Sequence, residues 1–229
     1  MPYLLLAILI LALVFGPQWW ARYTFRRHAR PHPRLPGTGG ELARHLLDRF
    51  DMAEVTVEVT QPGQDHYDPE SRTVRLSPEN HDGRSLTAVA VAAHEVGHAI
   101  QHQRGEPLLL WRGRLVRWAN GAQRLGAGAM LLIPVLAVAT RSPAVGLLMF
   151  AVGIGSLLLA TLVHLVTLPV ELDASFNKAL PILAEGYLQP DELPAARRVL
   201  RAAALTYLAA SLASLLNLGR WLVLLRRAG

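Results

Sequence analysis

Five consecutive residues, His94-Glu95-Val96-Gly97-His98, carry the chain's sharpest chemical signal. On a helix, two histidines four apart share one face, so both imidazoles can reach a single ion. Glu95 stands about 100° around the same helix from His94. It can approach a water on that ion without ligating the ion itself. Zinc lowers the pKa of a bound water to about 7, and a neighbouring carboxylate can take the proton as the water attacks a carbonyl. In a chain of this composition, with 9 histidines, chance supplies on the order of 0.015 matches to the pattern, so coincidence is a poor explanation. The surrounding run SLTAVAVAAHEVGHAIQHQ is apolar on nearly every face of a helix and should be buried in protein. A buried Glu95 with no partner would cost several kcal/mol, a difficulty that a metal and its water remove.

A catalytic zinc site needs a third protein ligand and one open position. Glu171, Asp173, His164, His102 and His66 are the candidates. Glu171 is favoured because it ends a long apolar stretch at Pro169-Val170, where a carboxylate needs a polar partner. Asp173 either steadies a histidine N–H on the far side of the metal or caps a helix. His102 extends the row of His94 and His98 by one turn. His66 and Tyr67 lie on a predicted hairpin and could donate to a substrate oxyanion.

These groups must be positioned by the elements around them. Tyr3–Trp20 is apolar and ends in Trp19-Trp20 followed by Arg22, Arg26, Arg27 and Arg30, the pattern of an uncleaved transmembrane helix with its C-terminal end in the cytoplasm. A Pro/Gly linker at 31–40 leads to an amphipathic helix over 41–50. Val55–Thr60 alternates as a strand, and His66–Ser77 reads as a hairpin turning at Asp68-Pro69-Glu70-Ser71. The returning strand Thr73–Ser77 either binds an extended peptide along a sheet edge or is purely structural. Ser85 is the N-cap expected for the metal-binding helix, which runs to about His102. Apolar stretches at 125–140 and 143–170 read as a transmembrane hairpin. Two crossings would then return Glu171 to the side of the membrane that holds His98. The block 202–225 is either a further span or an interfacial helix.

Composition agrees with this reading. The chain of 229 residues is 52% hydrophobic and 17% charged, with a mean hydropathy of +0.26. Its net charge of +6 does not indicate nucleic-acid binding. Every basic residue but Lys178 is an arginine, many of them flank apolar blocks, and no basic stripe is interleaved with aromatics. The absence of cysteine excludes disulfides, thiolate zinc ligands and cysteine nucleophiles. The fold class expected is a mainly α membrane protein with a small β-hairpin or sheet.

The strings AAHEVGHAIQH (92–102), DHYDPESRTVRLS (65–77), LVTLPVELDAS (165–175) and AAALTYLAAS (202–211) together resemble the YugP-type neutral zinc metallopeptidases of bacterial membranes. The layout is also similar to the HtpX and prenyl-protein membrane proteases. The resemblance implies a zinc-dependent, multi-pass membrane peptidase with a zincin-like core, and leaves its substrates undefined; the reading expected here is an endopeptidase of the bacterial inner membrane that cuts unfolded or membrane-proximal polypeptides near the cytoplasmic face. It implies His94, His98 and Glu171 as zinc ligands and Glu95 as the catalytic base. In the similar proteases an aspartate stands four residues after the ligand glutamate; here that position is Ser175, and the nearest acid is Asp173.

The division expected is a transmembrane helix at 1–21, a zincin-like catalytic region at 22–122, a transmembrane hairpin at 123–170, a third-ligand segment and cytoplasmic helix at 171–200, and a C-terminal transmembrane or interfacial helix at 201–229. The rival reading is a non-catalytic membrane scaffold stabilised by zinc. A structural site fills all four positions with protein ligands, so a fourth ligand would favour it.

Overall fold

The computed structural model describes residues 2–122 and 143–206. Helices account for most of them: α1 (Pro2–His28), α2 (Gly39–Arg49), α3 (Pro78–His81), α4 (Leu86–Gln103), α5 (107–122), α6 (Pro143–Asp173), α7 (Leu180–Ala184) and α8 (193–206). Residues Ala174–Ala179 form a π-helical segment that joins α6 to α7. Strands β1 (Thr56–Val59), β2 (His66–Asp68) and β3 (Thr73–Leu76) make one small sheet.

Helix α4 is the axis of the fold. From Leu86 to Gln101 every residue is buried, as its Ala, Val and Gly content demands. The hydroxyl of Ser85 accepts from the backbone N–H of Ala88 at 3.1 Å and caps the helix as expected. α2 and the π-helical segment are the principal neighbours of α4. α2 opens with a capping box: Thr38 Oγ1 accepts from the Glu41 N–H at 3.2 Å, and Glu41 Oε2 accepts from the Thr38 N–H at 2.8 Å. Leu42, Leu46 and Leu47 then join Val74, Leu76, Val89 and Leu183 in the core. At the crossing of α4 with the π-segment, a Cβ on Gly97 would stand 2.8 Å from the carbonyl oxygen of Ala174. Only a glycine lets the two backbones approach this closely.

The sheet order is β1-β3-β2, with β1 parallel and β2 antiparallel to β3. The hairpin forms where its turn residues place it, with Tyr67 opposite Val74. β3 is therefore paired on both sides, and its main chain has no edge left for a peptide. The free edges belong to β1 and β2, and β2 lies against α4.

The expectation of membrane-spanning helices is corrected. Among the described residues no helix is long and apolar enough to cross a membrane. Hydropathy registers an apolar run but not what covers it. Where α1 and α6 meet the rest of the protein, protein is the cover. Ala21 and Thr24 of α1 are buried, Phe25 packs on the core, and the Phe25 carbonyl accepts from the Thr87 hydroxyl at 2.8 Å. Thr167, Val170 and Glu171 of α6 are likewise buried. Residues 123–142, which hold the first half of the expected hairpin, lie outside the described residues, as do residues 207–229 of the last apolar block.

Candidate metal centre

α4 and the end of α6 bring three donors together. His94, His98 and Glu171 are all buried, and their candidate ligand atoms lie within 4.8 Å of one another. Glu171 Oε2 is 3.1 Å from His94 Nε2 and 3.3 Å from His98 Nε2. Two atoms about 2.0–2.1 Å from a tetrahedral zinc stand roughly 3.3 Å apart, so these separations match the edges of a zinc coordination shell.

The other ring nitrogens decide which atoms face the centre. His94 Nδ1 lies 3.0 Å from Ser175 Oγ, and that hydroxyl donates to the carbonyl of Leu200 at 3.2 Å. Having given its proton to Leu200, Ser175 must accept from His94 Nδ1–H. His98 Nδ1 lies 2.9 Å from Gln101 Oε1, while Gln101 Nε2 donates to the Val170 carbonyl at 3.0 Å and to Asp173 Oδ2 at 2.7 Å. The orientation of the Gln101 amide is thus determined, and His98 Nδ1 is also a donor. Both Nε2 atoms of the neutral imidazoles then point lone pairs at a carboxylate oxygen. Only a cation or an added proton on the rings reconciles the three atoms. A single zinc ion meets all three at once and uses each donor in the protonation state its outer partner imposes.

Electrostatics reinforce this. Without a metal, burial opposes ionisation of Glu171, but a protonated His98 and hydrogen bonds from protonated rings of both histidines hold it well below the usual carboxylate range. Its second oxygen, Oε1, is buried without a hydrogen bond, and the Arg112 guanidinium of α5 stands 3.4 Å away. Glu95 lies in the same pocket. Burial pushes its carboxyl up to about 7; His94 opposes that shift, Glu171 adds to it, and the Tyr67 backbone N–H stabilises the charged form.

The remaining candidates sit elsewhere. Asp173 touches neither imidazole. It reaches His98 through Gln101 and is itself held by Lys178 and by Asn177 at 2.8 Å. Tyr67 contributes its backbone at Glu95, its hydroxyl pairs with His102 Nδ1 at 2.8 Å, and His102 is not in the group of converging donors among the described residues. His66 Nδ1 donates to the Gln64 carbonyl at 2.6 Å. His164 belongs to α6, but its side chain lies outside the described residues. Gln101 and Ser175 went unassigned as partners of the histidines. Gln101 follows His98 by three residues, a spacing that places it on the same face. Ser175 stands where the similar proteases have an aspartate.

A cleft of about 670 Å³ opens over the three donors, between the C-terminal end of α1 and the loops flanking the sheet.

Comparison with known proteins places this site in a family. The model of the family described as "Putative neutral zinc metallopeptidase" matches residues 3–226. The protein named "Putative membrane protease YugP" from Bacillus subtilis (strain 168) is 37% identical over 229 residues, covering 98% of this chain and 96% of that one. No solved structure matches. The cofactor that the family description names is zinc, and the buried group of His94, His98 and Glu171 is suited to hold it.

Proposed function

Because the chain belongs to the neutral zinc metallopeptidase family, we propose that it is a zinc-dependent endopeptidase that hydrolyses peptide bonds in the cleft over His94, His98 and Glu171. The observation that carries this reading is that Glu171 Oε2 stands within 3.3 Å of the Nε2 atoms of both His94 and His98, with Glu95 beside them in the same cleft. His94 Nε2, His98 Nε2 and Glu171 Oε2 would hold the zinc. When bound, zinc acidifies water and polarises a peptide carbonyl.

The chain's own residues supply the rest. Glu95 accepts the proton of the attacking water and delivers it to the leaving amine, so that one water and one peptide bond become a carboxylic acid and an amine. Its displaced pKa suits both transfers, since a group poised near neutrality can take and return a proton. Ser175 and the Gln101–Asp173 pair keep the two imidazoles in the tautomer that presents Nε2. The edge of β2 left unpaired in the sheet, whose Tyr67 N–H already points at Glu95, is the strand available to an extended polypeptide substrate.

Catalysis is favoured over the zinc-stabilised scaffold because the group has three members among the described residues, which leaves a vertex open. A scaffold would also have no use for a buried Glu95. The relative's printed name carries a membrane location, and association with a bacterial cell membrane is the corresponding proposal here, tested by cell fractionation.

The direct test compares purified wild type with E95Q and E171A for zinc content and casein cleavage. E95Q should keep its zinc and lose cleavage, while E171A should lose both. Cleavage by E95Q at the wild-type rate would refute the mechanism.

A further inference from the structure

The cleft carries a charge pattern that zinc chemistry does not use. Arg22 and Arg26 are four residues apart on α1, so they share a face, and both line the cleft that holds His94, Glu95 and Glu171. Both are exposed, and neither guanidinium has a hydrogen bond or ion pair among the described residues. The helix that carries them is anchored. Ala21 and Thr24 are buried, and the Thr87 hydroxyl bonds the Phe25 carbonyl, so α1 is tied directly to the metal-binding helix. Two cations with no partner among the described residues are thus carried on an anchored helix beside the cleft.

The acids in the same cleft do not neutralise them. Asp65 is turned to Ser77, whose backbone N–H and hydroxyl it accepts at 2.7 and 3.2 Å. Glu79 lines the cleft but forms no ion pair with either arginine among the described residues. Guanidinium groups recognise carboxylates through paired N–H donors, with a directionality that an ammonium lacks.

We propose that Arg22 and Arg26 form a substrate subsite for carboxylates, so that the enzyme prefers polypeptides with an acidic side chain, or a free C-terminal carboxylate, flanking the scissile bond on the α1 side. The inference rests on the peptidase reading above. A solvent-exposed arginine pair could instead serve anionic lipid headgroups, and the experiment separates the two.

The probes are synthetic peptide pools identical except that the variable polar positions hold Glu, Gln or Lys, with and without C-terminal amidation. Cleavage is measured for wild type and for R22Q/R26Q. Binding of the same pools is measured on zinc-loaded E95Q with and without the arginine changes, so that recognition is read even if no pool is cut. Wild type should favour a carboxylate pool, Glu-containing or free-ended, over its neutral counterpart by about tenfold in kcat/KM, the effect of one charge-assisted hydrogen bond. R22Q/R26Q should abolish that ratio while keeping zinc content. R22E/R26E should turn the preference toward Lys. If the wild type cuts nothing but E95Q still binds carboxylate pools through the arginines, the peptidase reading fails and the subsite stands. If wild type cleaves and the pool ratios are unchanged in R22Q/R26Q, the subsite is wrong. Loss of binding to anionic phosphatidylglycerol vesicles in R22Q/R26Q, with unchanged peptide ratios, would likewise overturn it and assign the pair to lipid.

Discussion

The hydroxyl of Ser175 accepts the Nδ1–H of His94 across 3.0 Å. It stands where the similar proteases have an aspartate. A hydroxyl can orient the ring as an aspartate would, but it brings no negative charge, and it can accept here only because its own proton is committed to Leu200.

Replacing Ser175 by alanine should therefore weaken zinc binding by roughly 10–100-fold, the usual effect of removing an outer partner of a ligand histidine. Chelator competition on the purified protein measures it. Unchanged affinity would mean that His94 is oriented by packing alone.

The second histidine depends on a relay of two residues. Q101L removes the acceptor for His98 Nδ1–H and takes one donor from Asp173 and one from the Val170 carbonyl. D173N removes only the outer carboxylate. Zinc affinity should fall in both, and further in Q101L. The reverse order would show that charge from Asp173 matters more than the tautomer of His98.

Gly97 lies where α4 presses on the π-segment. In G97A the new methyl would meet the Ala174 carbonyl at 2.8 Å, and a backbone oxygen cannot swing away as a side chain could. The expected cost is about 1–3 kcal/mol of stability, read by denaturant unfolding of the zinc-free protein. Because Ala174 adjoins Ser175, zinc affinity should drop as well.

Glu95 predicts a pH signature for the zinc-free protein. Its carboxyl is raised from 4.5 to about 7 by burial. Below about pH 4.5 both folded and unfolded states hold the proton and the group contributes nothing. Between 4.5 and 7 the unfolded state releases it while the folded state retains it, so wild type loses stability relative to E95Q as pH rises. Above about pH 7 the difference levels off at about 3 kcal/mol. Denaturant unfolding of the two proteins at pH 5 and pH 8 checks the sign. A gap that shrinks toward pH 8 would show that Glu95 is stabilised in its charged form.

Much of the site is legible in local spacing. Residues 94 and 98 must share a face on any α-helix, and the cap at Ser85 and the turn at 68–71 follow from side-chain chemistry that acts within a few residues. Glu171 is a different case. Its selection leaned on two membrane crossings that would return it to the side of His98. In the structure it reaches the imidazoles because the π-segment that continues α6 packs along α4. The spans are also where the reading failed. Hydropathy counts apolar residues along a helix, and composition does not say whether lipid or protein covers a surface.

The order of residues along the chain was enough to bring forward His94 and His98 as a candidate metal pair, to set Glu95 beside them and to exclude thiolate chemistry, since each depends on residue type or on contacts within one helical turn. Only the tertiary structure decided that Ser175 and Gln101 orient the rings, that Asp173 stands one residue removed, that β3 is closed on both sides and that Arg22 and Arg26 overlook the cleft. Those relationships join residues as much as 81 positions apart, as with His94 and Ser175. Packing alone sets such distances, and no local periodicity records them.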